Sequence, residues 1–111
     1  MAIATINPTT GQTLKTFETL TDSQADQKIQ RAAETFPAFR QLSFADRARM
    51  MIKTAEILES EKESLARIMT TEMGKTFRSA VEEAVKCAWA CRYYAEHAER
   101  QIGRASCRER V

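Results

Sequence analysis

Glycine and proline are scarce in this chain of 111 residues, at three and two. So few helix breakers among many good helix formers point to a mostly helical body. No stretch approaches the roughly 18 consecutive apolar residues that a membrane span requires. The opening "MAIATINPTTGQ" has neither a basic start nor a long apolar core, so it does not read as a secretory signal. Without an export signal, the three cysteines are expected as thiols in a reducing cytoplasm. An excess charge of one sign is also missing. Lys and Arg number 17 against 15 Asp and Glu, a net charge of +2, too balanced to argue for nucleic acid or an acidic partner. Nowhere is there a G-x-G-x-x-G or a glycine-rich strand-to-helix turn that could receive a pyrophosphate.

What is present begins with a hairpin pattern. "AIATINP" is short, β-branched and alternating, "TTG" follows, and "QTLKTFETL" alternates again around Leu14 and Phe17. The turn falls between Pro8 and Gly11. A lone hairpin is marginal in water and needs something to pack on.

Four helices are expected after it. Thr21 or Asp22 can cap the first, whose apolar positions are Ala25, Ile29, Ala32, Ala33 and Phe36. Pro37 is expected to end or kink it near Phe36, because its ring blocks an i−4 bond. Phe39 and Leu42 then pack a short final turn. Ser43 is the expected cap of the second helix, with Phe44, Ala48, Met51, Ile52, Ala55 and Leu58 as the inward stripe. The third starts at Ser60 and turns Leu65, Ile68 and Met69 inward. Gly74 then sits where a left-handed residue ends a helix, with Lys75 beside the carbonyl end of the dipole. The fourth runs from near Thr76 to about Gln101. Its stripe is Phe77, Val81, Ala84, Val85, Ala88, Cys91 and Ala95, widened by Trp89, Tyr93 and Tyr94. Apolar residues on more than one side of so long a helix expect neighbours on more than one side.

Candidate chemistry is sparse. Cys87 and Cys91 are four apart, and the next possible ligand, His97, lies six further on, which favours two small apolar residues over a metal or redox pair. His97 reads as a surface residue near a helix end. Glu82, Glu83, Lys86 and Arg92 read as a solvated face with modest ion pairs. Met50, Met51, Met69 and Met73 read as core filler.

The ordered set of motifs resembles the N-terminal segment of the aldehyde dehydrogenase superfamily, most of all its bacterial succinate-semialdehyde branch. The residues that carry the likeness are Asn7, Pro8 and Gly11 in an "NP-T/A-TG" hairpin, and Arg47 and Met51 in an R-x-x-x-(L/M) helix. They continue with Glu72, Gly74 and Lys75 in an "E-x-GK" joint, then Glu83, Tyr93, Tyr94, Ala95 and Glu96. Thr76 departs from the pattern, where the family most often has proline. The likeness covers residues 1–102 and a minor part of a family member.

The resemblance implies an α/β subunit with a Rossmann-type NAD or NADP domain, a catalytic domain and a small oligomerising extension. In the family a cysteine thiolate attacks the aldehyde, a hydride passes to the nicotinamide, and a glutamate-activated water releases the acid. It also implies that residues 1–102 are the helical part of the cofactor domain, packing on the rest and lining part of the substrate tunnel. The family's nucleophile, glutamate, oxyanion asparagine and dinucleotide loops all lie further downstream. No catalytic, cofactor-binding or metal role is therefore assigned within this chain, Cys107 included. By the same resemblance, some members hold a structural cation near the equivalent of Glu72, and Tyr93 and Tyr94 could border the tunnel. A solvated acid and core or interface aromatics are the plainer readings of those residues.

The last nine residues, "GRASCRERV", carry three arginines and no helical or strand period. They could be a basic tail that touches nucleic acid or lipid. The abrupt break in the likeness favours a non-native tail over residues 103–111. Two functions follow. One is an N-terminal piece of an NAD(P)-dependent dehydrogenase for an aldehyde such as succinate semialdehyde. By itself it would be inactive and bind no cofactor. It would be cytoplasmic, would depend on the remainder of a homo-oligomeric subunit, and would have no nucleic-acid or membrane partner. The other is a stand-alone helical interaction module without enzymatic activity.

Overall fold

The computed structural model describes residues 3–102, in the order β1 (Ile3–Ile6), β2 (Thr13–Phe17), α1 (Asp22–Phe39), α2 (Phe44–Ser60), α3 (Lys62–Met73) and α4 (Phe77–Gln101). The expected hairpin and four helices are all present. None of the described helices is long and apolar enough to cross a membrane.

Strands β1 and β2 pair antiparallel from Ile3↔Phe17 to Ile6↔Thr13, with a bulge between Thr5 and Ile6. The turn is held by Asn7, whose side-chain oxygen accepts from Thr9 N at 2.9 Å and whose carbonyl accepts from Gly11 N at 2.8 Å. Gly11 takes φ 71° there, a conformation that glycine adopts without strain.

Local capping chemistry sets most helix ends. Thr21 forms a reciprocal box with Gln24: its hydroxyl accepts from Gln24 N at 3.3 Å, and its N–H donates to the Gln24 side chain at 2.9 Å. Ser43 accepts from Asp46 N at 3.1 Å, and Thr76 from Ser79 N at 3.4 Å. Gly74 closes α3 in the left-handed conformation with φ 71°, its N–H donating to Thr70 at 3.0 Å.

Two boundaries differ from expectation. Of the two outcomes expected at Pro37, an end near Phe36 is not the one taken: helix α1 carries Pro37 within it and ends at Phe39. Only the final turn lies beyond the proline, so a single missing donor is tolerated, and Arg40 N still reaches Phe36 O at 2.9 Å. Ser60 does not open the third helix. It is the last residue of α2, and its hydroxyl donates back to Ile57 O at 3.0 Å. The break falls on Glu61, which provides no side-chain cap.

Helix α4 is the centre of the packing, with α2 along one side and α3 along another. The buried core consists of five alanines: Ala55, Ala66, Ala80, Ala84 and Ala88. Three of them recur on α4 at i, i+4 and i+8, one vertical row on a helix face. Small residues there let the helices approach closely. Among the described residues no large side chain is fully buried. Among the expected inward residues, Met51, Leu58, Leu65, Met69 and Val81 are half-buried, whereas Ile52, Ile68, Phe77 and Val85 are exposed. Ala66 and Ala80 lie at the core although the stripes omitted them.

Helix α1 packs on no other element, and β2 only on β1. The radius of gyration is 18.9 Å, against about 13 Å for a compact domain of this size.

Candidate functional site

The joint between α3 and α4 gathers much of the resemblance's residue set. Glu72 accepts a hydrogen bond from the Thr5 hydroxyl at 2.8 Å, which ties the hairpin to α3. Pro8 lies over Gly74, so a Cβ added there would meet its Cγ at 3.2 Å. Lys75 forms an ion pair with Glu83 across the turn. Glu72 thus has a structural partner, and no group of three or more metal-ligating side chains occurs among the described residues.

The titratable groups of α4 go to different partners. Glu82 pairs with Arg78 at 3.1 Å on the solvent face. Arg92, expected on that face, instead reaches across to Glu59 of α2 with bonds of 3.2 and 2.6 Å. Those bonds hold the Glu59 carboxyl below the usual carboxylate range and raise the Arg92 guanidinium. Asp46 is lowered chiefly by the Ser43 hydroxyl. Cys87 is exposed and Cys91 half-buried, both as free thiols, and Cys107 lies outside the described residues with the rest of 103–111.

The aromatics form a row along α4. Trp89 stacks on Tyr93 at 5.7 Å, and Tyr93 on His97 at 4.3 Å. Tyr94 meets Tyr93 edge-on at 5.4 Å. His97 Nδ1 lies 2.8 Å from the Tyr93 carbonyl, which can only accept, so that nitrogen carries the hydrogen. His97 is therefore a positioned helix-face residue. Trp89 is 62% exposed and Tyr94 54%, so nothing among the described residues covers these two rings.

A second feature was legible in the sequence only as a motif residue. Arg47 projects between the rings of Phe39 and Phe44, with centroid distances of 5.7 and 5.6 Å, inside the range of cation–π attraction. One of its terminal nitrogens donates to Arg40 O at 2.7 Å, at the carbonyl end of α1. Its Nε is buried without a partner. Beside it opens a pocket of about 400 Å³ between α2 and the C-terminal part of α4, floored by Ala48, Met51 and Ala95. The spacing of Phe39, Phe44 and Arg47 hinted at this cluster, but only the α1–α2 turn brings the three together.

The joint, the four helices and the hairpin recur in known proteins. A model of the aldehyde dehydrogenase family matches residues 1–109. The chain belongs to that family. It is 54% identical over 99 residues to succinate-semialdehyde dehydrogenase [NADP(+)] 1 of Mycobacterium tuberculosis, covering 89% of this chain and 22% of that protein. It is 50% identical over 102 residues to an aldehyde dehydrogenase of Paenarthrobacter nicotinovorans, covering 92% and 22%. The crystal structure of succinic semialdehyde dehydrogenase from Streptococcus pyogenes with NADP+ superposes with a TM-score of 0.82 at 33% identity, over 87% of this chain and 22% of that one. The chain thus spans about a fifth of the length of the curated relatives it matches. Its own architecture is mainly helical, and its structural neighbours are α/β enzymes of Rossmann type.

The family's dinucleotide does not fit the described residues. Gly11 and Gly74, both at φ 71°, serve a hairpin turn and a helix C-terminus, and the helix that follows Gly74 already has its first amides capped by Thr76. Helices α1, α2 and α4 spend side-chain acceptors on their own first amides, which are the groups a pyrophosphate would need.

Proposed function

We propose that this chain supplies the N-terminal helical layer of the cofactor domain in an aldehyde dehydrogenase that oxidises succinate semialdehyde or a similar aldehyde with NADP or NAD. The nucleophile, the dinucleotide site and the groups that select the aldehyde belong to the rest of the subunit. The observation that carries this reading is the distribution of apolar size. Five alanines are buried, while Trp89, Phe36, Ile29 and other large side chains stand exposed. A layer built this way keeps its large side chains for a second layer. The relatives' names favour the succinate-semialdehyde type and NADP. By the same resemblance the subunit is a cytoplasmic homo-oligomer.

The test is co-expression with the part of the Mycobacterium tuberculosis relative that follows its matched segment, carrying an affinity tag. The chain alone should form no NADPH from succinate semialdehyde, and the pair should co-purify and do so. Turnover by the chain alone would refute the proposal. Failure of the pair to associate would favour a stand-alone helical module.

A further inference from the structure

No further inference is drawn: the strongest candidate, the surface patch of α4 on which Trp89 and Tyr94 stand exposed, is an unpartnered apolar face, and nothing in the structure shows what covers it other than the second layer already proposed.

Discussion

Replacing Ala84 with leucine tests whether small size at the helix seam holds these elements together. Ala84 is 3% exposed, one turn from Ala80 and one from Ala88, which are fully buried. Leucine adds three carbon atoms where α4 meets its neighbours. The helices must separate or the side chain must leave its rotamer, and overpacking of this kind costs about 1–3 kcal/mol. In a chain of this size each kcal/mol moves the thermal midpoint by about 4–8 °C, so a fall of roughly 4–24 °C is expected. Glycine at the same position should also lower it, through about 1 kcal/mol of helix propensity and roughly 0.8 kcal/mol for the lost methyl. Val85→Leu, on the adjacent exposed position, should stay within about 0.5 kcal/mol. Circular dichroism melting of the three variants provides the comparison. A midpoint raised by Ala84→Leu would mean that the seam holds unfilled space and that alanine was not chosen for close approach.

Two further outcomes follow from local geometry and charge. Gly74→Ala should destabilise by about 1–2 kcal/mol from left-handed strain alone. Its excess over Gly11→Ala, with the same φ of 71° but open space around the Cβ, measures the contact with Pro8; equal midpoints would show that the hairpin does not rest on the joint. Glu59 and Asp46 both titrate below the usual carboxylate range, held there chiefly by Arg92 and Ser43 respectively. The unfolded chain binds those protons more readily, so the stabilisation is complete above the ordinary carboxylate range and is lost as pH falls through the folded values. The midpoint should hold from neutral pH to about 5 and decline below about 4, and Glu59→Gln should shrink the decline; a flat profile would remove both pairs from the account of stability.

What was legible in the sequence was what a few neighbouring residues decide. Thr21, Ser43, Thr76 and Gly74 act through bonds to amides or carbonyls within one turn, so their roles hold wherever the helices end up. Ser60 shows the limit of that logic. A serine hydroxyl can cap the next helix or bond back into its own, and both choices look alike locally. The preference for Ile57 O goes with α2 and α3 both lying on α4. Apolar periodicity located the helices but misjudged their contact face, because it weighs large residues. Closest approach selects small ones, and so Ala66 and Ala80 were missed while Ile68 faces out. Partners far along the chain were invisible. Arg92 lies 33 residues from Glu59, and no spacing rule joins them.

Thr76 shows how a departure from a family pattern can be neutral. Its φ of −60° and ψ of 139° are values a proline would take without strain. Threonine offers a hydroxyl to Ser79 N, whereas proline would offer a stiffer unfolded chain, so either residue starts α4 by a different route. The start of α4 matters because the helix has two jobs in space. Its alanine row binds α2 and α3, and its aromatic row leaves Trp89 and Tyr94 exposed. Burying one exposed large side chain is worth about 1.5–3 kcal/mol, more than the methyl of any core alanine can contribute. Under the proposed function, the large side chains that α1 and α4 leave exposed add their apolar stabilisation against the rest of the subunit. That is the physical reason to look for this chain's function at the surface it presents rather than in any cleft it encloses.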